Sequence, residues 1–195
     1  AATERIKLGC DLLVGVRLLI DLSQTEQDTL LANALIDYIN EKPFSDPDAE
    51  RAIKVAKTLP PFHWPFEFPE VFAKEGFSAF VGNPPFIGGR RIRDTLGDQI
   101  REALNQLYPG SSGNADYSAF FFLQGFSHLR TGGALGLIAT NTIAQGDTKR
   151  TGLDKIYEIN GTIYHAQNDY NWPGVAAVTV NVVHLFKGEI KPPYV

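Results

Sequence analysis

The residues with the clearest chemical potential form one short stretch, Asn83-Pro84-Pro85-Phe86, which follows an apolar run at residues 77–81. Proline cannot donate to a sheet ladder and disfavours helix in the residue before it, so a buried strand is predicted to end here in a rigid, extended loop. In such a loop the Asn83 side-chain oxygen and the Pro84 carbonyl oxygen could accept hydrogen bonds from one amino group, while Phe86 offers a flat face to a planar ring. The alternative interpretation is a proline-rich turn without a chemical role.

Three arginines, Arg90, Arg91 and Arg93, come shortly after this stretch and form the densest positive charge in the chain. Guanidinium groups bind phosphate oxygens in a bidentate manner, so these residues are predicted to contact the phosphates of a bound nucleic acid. The alternative is a solvated helix start, because short arginine clusters are common on protein surfaces.

Length and composition indicate a globular protein. The chain has 195 residues, of which 44% are hydrophobic and 21% charged, enough for one sizeable core. A net charge of −4 argues against a chain that coats nucleic acid over its whole surface. No apolar run approaches the ~20 residues that span a bilayer, and no signal peptide opens the chain. The sequence therefore predicts a cytoplasmic protein without membrane contact.

Cysteine and histidine usage argues against metal and covalent chemistry. The single cysteine, Cys10, excludes an internal disulfide and any cysteine-based zinc site, which agrees with a reducing compartment. The four histidines, at positions 63, 128, 165 and 184, do not lie at ligand spacing. We therefore predict no metal site, and no constellation supports a covalent or triad mechanism.

The elements needed to position these residues follow from hydrophobic periodicity and from turn residues. Helices are predicted at about 3–22, from the cap at Ser23 to about 40, and from the Asp46-Pro47 pair to about 57. The proline-interrupted aromatic run at 62–72 is predicted to be an extended segment. Beyond the strand at 77–81 we predict helices at 92–107, from about 117 to a glycine stop at 131–133, and at 147–159. Strands are predicted at 134–140, 162–166 and 175–186, the last two joined by a loop at 168–174.

This order of elements indicates an α/β fold. A strand, two helices and a strand form the crossover of a parallel sheet, and the last two strands read as an antiparallel hairpin at the sheet edge. The domain division predicted is a helical segment at 1–60, as an insertion or linker, followed by a catalytic half at 61–190.

Several segments in the same order resemble the catalytic half of adenine-specific DNA methyltransferases, above all the large bacterial restriction-modification and phage-exclusion enzymes. NPPF resembles their catalytic motif, [DNS]-P-P-[YF], and the resemblance covers residues 61–188. The segments that carry it are FPEVF, GFSAFVGNPPFIGG, HLRTGGALGLIATNTIAQGDT and IYHAQNDYNWPGVAAVTVNVVHLFKG. It implies a Rossmann-like, S-adenosylmethionine-dependent methyltransferase fold, of which this chain holds the C-terminal half of the sheet with its terminal hairpin.

The resemblance also implies roles for the motif residues. In that family the first motif residue and the next carbonyl hold the exocyclic amine of a flipped-out adenine, and the aromatic residue stacks on the base. Asn83, Pro84 and Phe86 match those positions, and Pro85 completes the motif. The implied reaction is direct attack of the amine on the sulfonium methyl group of S-adenosylmethionine, and the implied partner is double-stranded DNA.

Two departures from the family pattern qualify this assignment. Ser78 replaces the aspartate of the common GFD sequence. No glycine-rich turn precedes Asn83, although the family binds its cofactor there, so no cofactor-binding residue is assigned. Together with the absence of methionine, this predicts a fragment, inactive alone, of a parent protein that supplies the N-terminal half of the methyltransferase domain. The alternatives are a methyltransferase for a protein glutamine or an RNA base, and a non-catalytic nucleic-acid-binding module.

Overall fold

The computed structural model describes residues 2–172 and 179–190. In chain order the elements are α1 (Ala2–Arg17), α2 (Gln24–Ile39), α3 (Pro47–Thr58), α4 (Trp64–Glu67), α5 (Pro69–Phe72), β1 (Phe77–Gly82), α6 (Ile92–Leu96), α7 (Asp98–Leu107), α8 (Tyr117–Ser127), β2 (Leu129–Ala139), α9 (Gly146–Lys149), α10 (Lys155–Glu158), β3 (Gly161–Asn171) and β4 (Thr179–Lys187). Short 3₁₀ turns lie at Gly89–Arg91 and Asn141–Ala144, and a π turn lies at Arg150–Asp154.

The chain divides into two compact units. Residues 1–68 and 96–107 form the helical unit, and residues 69–95 and 108–195 form the sheet unit. The division at residue 60 between a helical segment and a catalytic half stays a prediction.

Helices α1, α2 and α3 pack around a core of leucines and small residues, because their apolar positions recur at helical spacing. The buried members are Leu12, Val16, Leu19, Leu30, Ala34, Ala49, Ala52 and Ile53. Gly15 allows α1 and α3 to approach closely, since a Cβ atom there would overlap the carbonyl group of Ala52. The predicted helix starts are confirmed: Ser23 and Glu26 form a capping box, and Asp46 accepts a hydrogen bond from the Asp48 amide at 2.9 Å.

Helix α1 is shorter than predicted, ending at Arg17 rather than near residue 22. Beyond it the chain turns through short-range bonds such as Leu22 N–H to the Leu19 carbonyl at 3.1 Å. The fully buried Gln27 amide donates to the Leu19 carbonyl at 3.0 Å and to the Leu22 carbonyl at 3.4 Å. A side chain from α2 thus bonds to two carbonyls of the turn that follows α1.

The aromatic run at 62–72 is not extended, and the prediction was wrong there. It contains the one-turn helices α4 and α5, with Pro65 in the first turn of α4 and Pro69 at the start of α5. Proline is tolerated in a first turn because the missing N–H would have no helical partner there. Trp64 and Phe68 stack with ring centroids 5.9 Å apart.

In the sheet unit a four-stranded sheet has the order β1-β2-β4-β3. Strands β1 and β2 are parallel, whereas β4 is antiparallel to both β2 and β3. The α/β fold, the parallel crossover and the terminal antiparallel hairpin at the sheet edge are therefore confirmed. Helix α8 covers one face of the sheet and buries Phe122 and Phe126 against Leu135 and Leu185.

Helix α8 ends at Ser127, and β2 begins at Leu129, five residues earlier than predicted. The Thr131-Gly132-Gly133 sequence therefore does not cap the helix but lies within the strand. Gly132 has a φ of +77°, and the pairing of β1 with β2 is irregular between Phe77 and Ala79. A glycine with positive φ allows the strand to bulge here.

Strand β1 is not the buried strand that its apolar sequence predicted. Among the described residues it pairs with β2 alone, and Val81 is 89% exposed. Hydrophobicity predicted burial, but an edge position leaves one side of the strand without a neighbour.

Two predicted helices are interrupted. Gly97, with a φ of +89°, separates α6 from α7 within the predicted helix 92–107. The predicted helix 147–159 is instead α9, the π turn and α10. Two hydrogen bonds tie this region to the segment before α8. The Thr148 hydroxyl in α9 accepts from the Asp116 amide, and the Thr151 hydroxyl in the π turn accepts from the Ser112 amide, both at 3.1 Å.

The terminal hairpin also differs in length from its prediction. Strand β3 continues to Asn171, so residues 168–171 are strand rather than loop. Strand β4 is described from Thr179 to Lys187. Residues 173–178, which include the predicted start of the last strand at 175, lie outside the described residues.

Candidate active site

The motif loop, residues 83–88, leaves the carboxyl end of β1 without helix or strand structure. Gly82, the last residue of β1, pairs with Leu137 of the neighbouring parallel strand β2. In α/β sheets the carboxyl ends of parallel strands form the edge at which ligands bind. The motif loop therefore lies at the edge of the sheet where proteins of this architecture bind their ligands.

The side chains of the motif loop differ in their exposure to solvent. Pro84 is buried and anchors the loop, whereas Asn83, Pro85 and Phe86 are exposed. Phe86 is 40% exposed and has no ring contact with another aromatic side chain in residues 2–172 and 179–190. The structure thus brings an amide and an aromatic face to the surface on either side of an anchored proline.

Three contacts with residues 114–117 hold the exit of the motif loop. The Tyr117 amide donates to the Ile87 carbonyl at 2.9 Å, and the Gly89 amide donates to the Asp116 carboxylate at 3.0 Å. Gly89 is buried, and a Cβ atom there would overlap the Asn114 carbonyl. The glycine at 89 therefore serves close backbone approach.

Asp116 is the residue of this region that sequence reasoning undervalued. Asp116 occupies the N-cap position of α8, where an aspartate commonly caps the helix, but its side chain makes no capping bond. Its carboxylate instead accepts from Gly89 and from the hydroxyls of Thr140 and Thr142, which follow β2. No local sequence pattern distinguishes an aspartate that caps its own helix from one whose carboxylate bonds to distant segments.

Tyr117 begins α8 beneath the loop. Burial raises the pKa of its phenol, which keeps it protonated at neutral pH. Its ring meets Phe121 edge-on at 5.1 Å. Burial, with a smaller contribution from Tyr117, raises the pKa of Tyr108 to about 12. Neither phenol is poised to act as a base near neutral pH.

The three arginines lie directly beyond the loop. Arg90 and Arg91 belong to the 3₁₀ turn, and Arg93 lies in the first turn of α6. All three side chains are exposed. Their role in binding nucleic acid stays a prediction.

Across the described ranges, no cluster of three or more histidine, cysteine, aspartate or glutamate side chains is arranged to hold a metal ion. Within the same ranges, every helix is too short or too polar to span a membrane.

The parallel crossover and the terminal antiparallel hairpin are consistent in topology with a methyltransferase-type α/β fold, and the NPPF loop lies at its ligand-binding edge. More specifically, the chain belongs to the Eco57I restriction-modification methylase family, whose sequence model matches residues 12–166. No curated protein matches the chain significantly.

Two solved structures are similar to the chain. One is the type IIL restriction-modification enzyme MmeI in complex with DNA, with a TM-score of 0.50 and 15% sequence identity. The match covers 70% of this chain but only 21% of the MmeI chain. At 15% identity it is evidence for the fold alone. The other is a putative class I S-adenosylmethionine-dependent methyltransferase from Listeria monocytogenes, with a TM-score of 0.36 and 12% identity, covering 95% of this chain and 83% of that one.

Proposed function

We propose that this chain is the catalytic half of an adenine-specific DNA methyltransferase that transfers a methyl group to the exocyclic amine of adenine. One observation carries the proposal: Asn83 and Phe86 are both exposed, beside a buried Pro84, at the carboxyl end of β1. An amide oxygen, a carbonyl oxygen and a ring in such a short loop suit a planar group that bears an amine.

The chemistry required of these residues is positioning and charge stabilisation. The Asn83 side-chain oxygen and the Pro84 carbonyl oxygen accept the two amine protons, which directs the nitrogen lone pair toward the methyl donor. The same two acceptors stabilise the positive charge that develops on the nitrogen as the nitrogen–carbon bond forms. Transfer would break the bond between the methyl carbon and the sulfonium sulfur, leave the donor as a neutral thioether and release one proton from the nitrogen to solvent. No residue of the protein needs to act as a nucleophile.

Phe86 contributes to holding the base. Extracting a base from a duplex costs a few kcal/mol, and stacking on an aromatic face offsets part of that cost. A ring that already faces solvent can receive a base without breaking an existing aromatic contact.

The methyl donor implied by the class is S-adenosylmethionine, which supplies an electrophilic methyl group when bound. The site for this donor is incomplete in this chain, because no glycine-rich turn precedes Asn83. We infer that a parent protein supplies that site in an N-terminal half of the domain. The exposed edge of β1 and the match to 21% of the MmeI chain both support this inference.

Double-stranded DNA is the proposed partner. Arg90, Arg91 and Arg93 are exposed directly after the motif loop, where they are able to contact phosphates on either side of an extracted base. The MmeI structure, a complex with DNA, supports this choice.

The test is Asn83→Ala in the full protein that carries this chain. Removing one of two acceptors for a developing charge should lower kcat for adenine methylation by about 10²- to 10³-fold, by analogy with loss of an oxyanion-hole donor. Asn33→Ala is the matched control, because Asn33 is an exposed asparagine on α2. Wild-type kcat in Asn83→Ala would refute the proposed role.

Identification of the methylated product separates the remaining candidates. A glutamine side chain and other nucleobases also present a planar amino group to the same acceptors. Mass spectrometry of DNA, RNA and protein after reaction with labelled donor should give N6-methyladenine in DNA. Methylglutamine or a methylated RNA base would establish the second candidate, and absence of methyl transfer by the full protein would establish a binding module.

A further inference from the structure

The Asp116 carboxylate connects the segments that follow two adjacent parallel strands. On one side it accepts from the backbone amide of Gly89, at the exit of the motif loop after β1. On the other side it accepts from Thr140 at 3.4 Å and from Thr142, in the segment after β2. The two hydroxyls lie 2.6 Å apart, and because each carries a single proton, one of them can donate to the other only in place of donating to the carboxylate. The carboxylate is therefore shared between both segments.

Asp116 is itself held in place. Its backbone amide donates to the Thr148 hydroxyl at 3.1 Å, and its neighbour Ala115 is fully buried. The next residue, Tyr117, starts α8 and donates its amide to the Ile87 carbonyl. A carboxylate on this support is a fixed acceptor, and bonds to an ionised acceptor are roughly twice as strong as neutral ones.

The motif loop depends on such a fixed point. Its entry is set by the pairing of Gly82 with Leu137, and two prolines restrict its backbone. Its internal hydrogen bond runs from the Ile87 amide to the Pro85 carbonyl at 3.1 Å. At the exit of the loop, Asp116 holds the Gly89 amide, beside the bond from the Tyr117 amide to the Ile87 carbonyl.

We propose that Asp116 is a positioning residue that fixes the motif loop against the segment after β2, so that the Asn83 and Pro84 oxygens keep the alignment required for methyl transfer. This inference rests on the proposed function. It assigns Asp116 no contact with base or methyl donor, and it places the effect of Asp116 on the rate of transfer rather than on DNA affinity.

The test compares variants of the full protein that differ in the acceptors they keep. Asp116→Ala removes both carboxylate oxygens, whereas Asp116→Asn keeps one carbonyl oxygen able to accept from Gly89. Thr142→Val removes one donor on the other side with little change of shape. Asp169→Asn is the matched control, because Asp169 is exposed in β3 and its left-handed backbone, with a φ of +52°, accommodates asparagine.

Two readouts are required of each variant. Hydrogen exchange of the Gly89 amide reports the hold on the loop, and kcat and KM with the DNA substrate report alignment and affinity. In Asp116→Ala we expect exchange at Gly89 at least about tenfold faster and kcat lower by about 10- to 100-fold, with KM changed less than about threefold, because small misplacements act on the transfer step. Asp116→Asn should keep Gly89 protected and recover part of kcat, and Asp169→Asn should match wild type in both.

Unchanged Gly89 exchange or unchanged kcat in Asp116→Ala overturns the proposal, as does an effect confined to KM. If Asp116→Ala does not fold, Thr142→Val decides, and a wild-type kcat there overturns the proposal equally. The proposed function fails separately, when the wild-type product is not N6-methyladenine in DNA. In that case exchange at Gly89 and kcat on the observed methyl acceptor still test the role of Asp116.

Discussion

In the helical unit several charged side chains form ion pairs with one another, whereas the sheet unit exposes an amide, a ring and three arginine side chains around one loop. Arg17 bonds to Asp28 at 2.7 Å, and Asp11 accepts from Lys7 at 3.0 Å and contacts His63 at 2.9 Å. Exposed ion pairs contribute little to stability, so these pairs are not a main source of the stability of the helical unit. Exposed polar groups near the carboxyl end of a strand indicate where a substrate would bind.

The cores of the two units also differ, in the size and type of the side chains that they bury. The helical unit packs aliphatic and small side chains, with alanines where α3 meets its neighbours. The sheet unit buries two phenylalanines, Phe122 and Phe126, between α8 and the strands. Large rings fix α8, and residues 114–117, which hold the exit of the motif loop, lead directly into its first turn. A stiff core beneath an exposed loop is what a positioned site requires.

The largest stability effect should come from the aromatic core. Phe126→Ala removes a fully buried ring and should lower the free energy of unfolding by about 3–5 kcal/mol. Hydrogen exchange should show the loss at amides of α8, β2 and β4. Phe62→Ala is the control, since Phe62 is 57% exposed and lies in the helical unit. An equal loss of protection in α1 and α3 would break the comparison between the two units.

The helical unit should respond most to Gly15→Ala. A methyl group there overlaps the Ala52 carbonyl, so α1 and α3 must separate, at an expected cost of about 1–3 kcal/mol that exceeds alanine's helical advantage. Gly9→Ala in the same helix meets the Tyr38 side chain at 3.3 Å rather than a backbone group at overlapping distance. Thermal unfolding should show a lower midpoint for Gly15→Ala and little change for Gly9→Ala. A wild-type midpoint in Gly15→Ala would contradict the close packing of the helices.

The smallest effect should be the pH dependence of Asp11. Burial alone would raise the pKa of this carboxyl group, but hydrogen bonds from His63 and Lys7, with the charges of both, lower it below its usual value. A carboxyl group whose pKa is lower in the folded state stabilises the protein above its unfolded pKa, about 3.9, and this contribution is lost as the pH falls through the folded value.

Asp11→Asn should therefore reduce stability at pH 7 by about 1 kcal/mol, the typical contribution of a hydrogen bond. The difference from wild type should stay constant down to about pH 5 and shrink at more acidic pH. Urea unfolding at a series of pH values measures it. A difference that grows on acidification would contradict the sign of the shift. Asp169→Asn provides a control on an exposed carboxyl group.

Much of the fold was predictable because it is encoded in local patterns. Helical spacing located α1, α2 and α3, and turn chemistry located their caps. Strand-length apolar runs located β1, β2 and β4, and their order predicted the parallel crossover and the hairpin. Some errors lay at element ends, such as those of α1 and α8, and others lay inside predicted elements, such as the break at Gly97 and the π turn.

For the candidate site, the sequence by itself determined the loop and its chemical groups. Two prolines after an apolar run require an extended exit from a strand, and NPPF supplies two acceptors and a ring. Tertiary structure alone decided that β1 lies at an edge of the described sheet, that Gly132 lies within a strand, and that Asp116 turns away from its own helix. The bonds from Asp116 to Gly89 and Thr142 join residues 27 and 26 positions apart. Local spacing describes neighbours within a turn or a strand, so contacts over such separations appear only when the chain is folded.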